Sequence, residues 1–276
     1  MNGLISVIVS TYERPDALAA VLRGLSRQID RNFEVVIADD GSGPATATTI
    51  AAWKEKLGAP LRHVRHEHDG FRAAEIRNRA ILASNGGYCV FLDGDCIPRP
   101  DFIAQHRALA EPGWFVAGNR ILLSPELTTQ ILAHDLEPER WGFPSLLVRW
   151  PRHVNRLLPA LHLPLGALRK REPARWEGAR TCNLAVARAD LDAVDGFDAS
   201  FAGWGLEDSD LAIRLIHAGV RRKDGRCATG VFHLWHPAND RAGLPENEAR
   251  LDTVIRGDRV RALRGLSSLD AVPAHG

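Results

Sequence analysis

Three short, nearly uninterrupted apolar runs most constrain the fold. They lie at residues 4–9 (LISVIV), 33–38 (FEVVIA) and 88–92 (YCVFL). A strand with one wet face alternates apolar and polar residues, so continuous runs of this length need cover on both faces. Helical signals separate them. After Pro15 and Asp16, the residues Leu18, Val21, Leu22 and Leu25 fall on one stripe. Residues 45–57 and 73–84 also read as helices, and 61–65 as a short strand. This order predicts an α/β fold with a mostly parallel sheet flanked by helices and right-handed crossovers.

Each run ends in residues that carry chemistry. Thr11, Tyr12 and Glu13 follow the first, Asp39-Asp40-Gly41-Ser42 the second, and Asp93-Gly94-Asp95 the third. Ligands of open α/β sheets bind beyond the carboxyl ends of the strands. Two carboxylates around a glycine repel each other unless a cation or a tightly held polar ligand lies between them. Mg²⁺ and similar hard ions take oxygen ligands and are shared with substrate phosphates, and Gly94 would let the backbone approach closely. A plain acidic turn accounts for the triplet equally well when it is taken alone.

Beyond residue 100 the rhythm changes. Residues 114–123 read as one strand, 183–187 as another, and 189–194 as a short helix. Residues 203–206 lead into a helix bearing Leu211, Ile213, Leu215 and Ile216, and 220–236 return as strand. The stretch 124–177 is rich in proline and lacks clean strand signals.

Composition excludes some classes. The 35 basic and 34 acidic groups leave a net charge of +1, without the basic excess of a generic nucleic-acid binder, so no nucleic-acid partner is expected. The four cysteines show neither CxxC nor zinc-finger spacing, which fits a reducing compartment. No apolar stretch approaches the ~18 residues that span a bilayer, and no charged leader precedes the first strand. A cytoplasmic location is therefore expected, with room for peripheral contact at the inner face of the membrane.

The strand-end motifs join a downstream run, Trp204-Gly205-Leu206-Glu207-Asp208-Ser209-Asp210. Together they resemble the family 2 inverting glycosyltransferases of GT-A fold. The later half is similar to the galactosyltransferase and chondroitin-polymerase type, which carries a Trp-Gly-x-Glu-Asp-x-Asp run followed by a metal-binding histidine. The likeness spans about residues 3 to 240. It implies one GT-A domain over 1–236, with a nucleotide-sugar half (1–123), an acceptor and catalytic half (124–236), and a helical tail (237–276).

The resemblance also implies roles. Thr11, Tyr12 and Glu13 would line the nucleotide pocket, and Asp39 or Asp40 would accept the uracil imide N–H, with helix capping as the plain alternative. Arg77, favoured over Arg72, would face the base or pyrophosphate. Asp93 would meet the ribose beside Gly94, and Asp95 the metal. Asp208 would be the catalytic base and Glu207 would orient sugar hydroxyls, while Asp210 is read as helix stabilisation. Trp204 and Gly205 would face a sugar ring, with Asn183 and Trp176 as further contributors. His233, with His236 as fallback, would complete a site for Mn²⁺ (or Mg²⁺). A UDP-sugar donor and a glycan or lipid-linked glycan acceptor follow as expected partners, in cell-surface polysaccharide or lipopolysaccharide synthesis.

Residues 145–171 fall outside the signature. Leucines interleave there with Arg149, Arg152, Arg156, Arg169, Lys170 and Arg171, and Pro151, Pro159 and Pro164 break the segment. A membrane interface, a charged-acceptor cleft and a packed flap all suit that pattern. A nucleotidyltransferase or a non-catalytic binding protein would share the strand-end acids, but no glycine-rich, lysine-bearing loop follows the first strand. A dehydrogenase fingerprint is missing there as well.

Overall fold

The computed structural model describes residues 3–141, 153–155, 161–238 and 240–269. Its first part runs β1 (Ile5–Thr11), α1 (Pro15–Ser26), β2 (Phe33–Asp39), α2 (Pro44–Trp53), β3 (Leu61–Arg65), α3 (Ala73–Ala83) and β4 (Tyr88–Asp93). Then come β5 (Cys96–Pro98), α4 (Phe102–Leu109), β6 (Trp114–Ala117), β7 (Arg120–Leu122) and α5 (Pro125–His134). The last part holds β8 (Asn183–Ala187), α6 (Arg188–Ala193), α7 (Glu207–His217), β9 (Arg221–Asp224), β10 (Val231–His233) and α8 (Leu244–Arg256).

A seven-stranded sheet has the order β3-β2-β1-β4-β8-β6-β9, and β8 alone runs against its neighbours. The apolar runs are continuous because both faces are covered. Val7, Val9, Val35, Ile37, Val90 and Leu92 pack with Leu18, Val21, Leu22 and Leu25 of α1. Ile8, Val36, Ala38, Cys89 and Phe91 face the other way, onto Ile76, Ala80 and Ile81 of α3. At about 1.5–3 kcal/mol for each large apolar side chain removed from water, this two-faced packing dominates the stability of the first half. Register sets the strand ends level: Ser10 lies beside Asp93 and Thr11 beside Asp39.

The second sheet has the order β5-β10-β7. Here the structure departs from the sequence reading. Residues 114–123 form two strands, not one, because the chain leaves the large sheet at Gly118. A Cβ at Gly118 would lie 2.2 Å from the Asn183 side chain, so only glycine fits this crossing. Residues 220–236 divide in the same way, into β9 and β10. The paired strands β6 and β9 thus leave the large sheet together, and β7 and β10 pair again in the small one. Helix α5 carries start signals within the stretch read as irregular: Ser124 accepts a hydrogen bond from the Leu127 N–H, and Pro125 takes the first turn.

The tail helix α8 packs Leu251 and Val254 onto Phe201 and Ile213. No helix among the described residues is long and apolar enough to cross a membrane. Residues 145–152 and 156–160 of the basic, leucine-rich segment lie outside the described residues.

Candidate active site

The carboxyl ends of β1 and β4, the start of α7 and the chain after β10 enclose a cleft of about 670 Å³. It brings together Thr11, Tyr12, Asp40, Arg77, Asp93, Gly94, Asp95, Trp204, Gly205, Glu207, Asp208 and His236 from the sequence reading. The floor depends on glycine: the Gly94 N–H donates to the Ser10 carbonyl at 2.7 Å, and a Cβ there would press on that oxygen at 2.9 Å.

Arg77 is the electrostatic centre. It projects from α3, is 4% exposed, and donates to Glu207 Oε1 at 2.8 Å, to Asp93 Oδ1 at 3.4 Å and to Ser10 Oγ at 3.1 Å. Burial works against its charge, but Glu207 and Asp93 outweigh that effect and raise its pKa. The α3 helix and the acidic run, 130 residues apart in the chain, are joined through this one guanidinium.

Asp208 occupies the first turn of α7 and is buried. Burial, reinforced by the neighbouring Glu207 charge, pushes its pKa up to about 6, while Arg180 and Arg77 oppose the rise. Arg180 approaches its Oδ1 at 3.5 Å, and Ser209 Oγ donates to the same oxygen at 3.3 Å. The chain enters α7 through Gly203, Gly205 and Leu206, all at positive φ. For leucine, φ +77° is a strained conformation. Asn247 of α8 holds the entry by donating to the carbonyls of Ala202 and Gly205, both at 3.0 Å.

The second sheet builds the other wall. Antiparallel pairing of β10 with β5 sets His233 opposite Cys96, next to Asp95. His233 Nε2 lies 3.7 Å from Asp95 Oδ1, and His236 Nε2 lies 3.4 Å from Oδ2. Burial lowers the His233 pKa despite the opposing pull of Asp95, which favours the neutral imidazole, the form able to ligate a metal. One carboxylate between two imidazoles is a donor set that fits a divalent transition ion. Asp93 stands beside this set, its pKa pushed up to about 6 by burial, with Arg77 acting against and Asp95 adding to the rise.

Some expected residues do other work. Asp39 accepts from the Ser42 N–H at 2.8 Å and meets His63 Nε2 at 2.8 Å, so it holds the loop after β2 and does not line the cleft. Burial raises its pKa, but the bonds from His63 and Ser42 win and the net shift is downward. Asp40 is the cleft member, meeting His66 Nε2 at 2.5 Å and accepting from the Arg72 N–H at 3.0 Å. Glu13 accepts from the Gly43 N–H at 2.8 Å and is also a loop brace. Asn183, expected as a sugar contact, does not line the cleft. It is buried away from the cleft, bonded to His106 Nε2 at 3.1 Å and to the carbonyls of Asn119 and Thr229, where it stabilises the strand crossing. Asp210 is fully buried and pairs with Arg214 at 2.7 Å and Arg259 at 2.9 Å, a structural role.

Sequence reasoning missed the basic half of the cleft. Arg14, Arg120, Arg180 and Arg241 line it, and the Arg241 guanidinium lies 5.0 Å from the centre of the Trp204 ring. It also missed His68, which stacks on Tyr12 with ring centres 4.5 Å apart. The spacing of His63 on β3 with His66 and His68 just after it is the available signal.

Residues 6–158 match the family described as Glycosyl transferase family 2. The chain belongs to glycosyltransferase family 2. Residues 162–237 of this family 2 protein further match the N-terminal domain of galactosyltransferase. It is 28% identical over 246 residues to a validoxylamine A glucosyltransferase of Streptomyces hygroscopicus subsp. jinggangensis, covering 83% of this chain and 55% of that one. A chondroitin synthase of Escherichia coli is 25% identical, with 79% and 33% covered. The chain therefore spans about half or less of the length of these relatives. Among solved structures, the mannosyltransferase PcManGT from Pyrobaculum calidifontis, in complex with GDP-Man and Mn²⁺, superposes with a TM-score of 0.64 at 20% identity, covering 93% of this chain and 65% of that one. S. aureus TarS 1-349 in complex with UDP-GlcNAc gives 0.61 at 17% identity, with 91% and 66% covered. The fold is GT-A.

Proposed function

We propose that the protein is a metal-dependent inverting glycosyltransferase. It moves a hexose or N-acetylhexosamine from a UDP-sugar to a glycan or lipid-linked glycan acceptor, in cell-surface polysaccharide or lipopolysaccharide synthesis at the cytoplasmic face of the membrane. The observation that carries this reading is the shared cleft, lined by a buried Asp208 with its pKa near 6 and by Asp95 and His236, with His233 Nε2 3.7 Å from Asp95.

In the proposed reaction Asp208 takes the proton of the acceptor hydroxyl as that oxygen attacks C1 of the donor sugar. Its raised pKa makes it a stronger base than an ordinary aspartate, yet still ionised near neutral pH. Glu207, fixed by Arg77, accepts from sugar hydroxyls, and Trp204 offers an apolar face. Tyr12 and Asp40, which line the cleft, would meet the uracil ring, with Asp40 accepting the imide N–H. Asp95, His233 and His236 would hold the Mn²⁺ (or Mg²⁺), which would neutralise charge on the departing UDP. The nucleotidyltransferase alternative would need a lysine at the phosphates, and none lines the cleft among the described residues.

The test is a panel of nucleotide sugars assayed for UDP release with and without Mn²⁺. Stimulation by acceptor and metal is expected with at least one UDP-sugar, and no turnover with any donor–acceptor pair would refute the reading. Asp95→Ala should weaken metal-dependent donor binding by about tenfold or more, the usual cost of a lost ligand-sphere group. Unchanged Mn²⁺ dependence in binding titrations would count against this ligand. The pH profile offers a separate check. With Asp208 as base, kcat/KM should fall below about pH 6. Arg180 lowers the Asp208 pKa, so Arg180→Gln should move that acid limb to higher pH; a limb that stays put would exclude Asp208 as its source.

A further inference from the structure

A second cavity, of about 240 Å³, opens where the 3-10 helix Gly166–Lys170 meets β9, the edge strand of the large sheet. It shares no lining residue with the catalytic cleft. Four arginines line it (Arg169, Arg171, Arg222 and Arg226) against only two acids, Glu172 and Asp224. Both acids are already engaged. Asp224 takes Arg226 Nε at 2.7 Å, and Glu172 takes Arg175 at 2.8 Å. Arg169 is fixed by donating to the carbonyls of Leu163, Asp224 and Arg226. It forms no ion pair among the described residues, and the attraction of Asp224 does not offset its burial.

Arg222 is the telling residue. It is 8% exposed, and its Nε has no hydrogen-bond partner among the described residues. Burial lowers its pKa, and the attraction of Asp224 and Glu172 does not make up the difference. A buried guanidinium without a hydrogen-bonded partner is costly, and its planar fork matches an oxyanion. Leu163 and Leu168, 40% and 61% exposed, lie on the same short segment as Arg169 and Arg171.

We propose that this cavity binds a phosphate group, held by Arg222 and Arg171 and backed by the fixed charges of Arg169 and Arg226. The site stands independently of the transfer reaction. A phosphate carried by a lipid headgroup would place acyl chains against Leu163 and Leu168; a soluble phosphate would engage the arginines alone.

The experiment uses the full chain, with Arg222→Gln and with Arg171→Gln, whose exposed side chain makes no bond among the described residues. Inorganic phosphate is titrated calorimetrically, with and without saturating UDP, and vesicles of phosphatidylglycerol or of phosphatidylcholine alone are used in co-sedimentation. Saturable binding that survives UDP and weakens at least tenfold in either arginine variant is expected, with donor turnover retained. Co-sedimentation with phosphatidylglycerol but not phosphatidylcholine, lost in Leu168→Ser, identifies the headgroup as the source. Phosphate binding without sedimentation identifies a soluble ligand. Absence of binding to either probe, displacement by UDP, or indifference to both arginine substitutions overturns the site.

Discussion

Asp208→Asn should lower turnover by about 10²–10⁴-fold, the range that a positioned general base contributes, while UDP binding in the presence of Mn²⁺ stays nearly unchanged. The amide keeps the shape of the carboxylate and can still accept from Ser209 Oγ, so the fold of the α7 entry is preserved. What it loses is the capacity to take a proton. The split between chemistry and binding is the informative part, because among the described residues Asp208 contacts Ser209 and Arg180 and makes no bond to Asp95, His233 or His236. Single-turnover rates and UDP titrations should be measured on the same preparation. A near-normal rate would assign the base to another group, and a parallel loss of UDP affinity would mean that Asp208 belongs to donor binding instead.

Arg77→Met should produce the largest loss of stability, about 3–5 kcal/mol, the usual cost of removing one partner from a buried ion pair. That is a large part of a typical domain's margin. Glu207 would lose its bond at 2.8 Å, and Asp93 its only compensating cation within 4 Å among the described residues. The pH dependence has a definite sign. Asp93 already has a folded pKa near 6, above its unfolded value, so its ionisation destabilises the fold as pH rises from about 4 through 6. Arg77 holds that pKa down, and without it the destabilising window extends to higher pH. Urea unfolding of the variant should therefore show a smaller deficit at pH 5 than at pH 8. A deficit below 1 kcal/mol, or one that does not grow with pH, would show that Arg77 is not the link joining these acids.

The same residue explains what sequence reasoning misses. The place of Arg77 in a motif points to a base or a pyrophosphate as its partner. The structure gives it three protein partners, because α3 lies over the carboxyl ends of β1 and β4, where Ser10 and Asp93 lie side by side. Which of two adjacent aspartates faces the cleft was undecidable for a related reason. β2 ends at Asp39 and the chain turns through Asp40, and only the positions of His63 on β3 and His66 just after it determine that Asp39 braces and Asp40 lines.

Read alone, the chain shows the parallel half of the large sheet and which acids follow its strands; the level of those strand ends comes from the register. The first two follow from local rules: continuous apolar runs demand two-sided cover, and glycine marks where backbone must come close. Tertiary structure decided the rest. The crossing at Gly118 and Asn183, the alignment of His233 with Asp95 through β5–β10 pairing, and the hold of Asn247 on the strained entry to α7 all join residues far apart in the chain. Short three-residue strands carry almost no periodicity of their own, so their partners, and with them half of the cleft, are set only when the chain closes on itself.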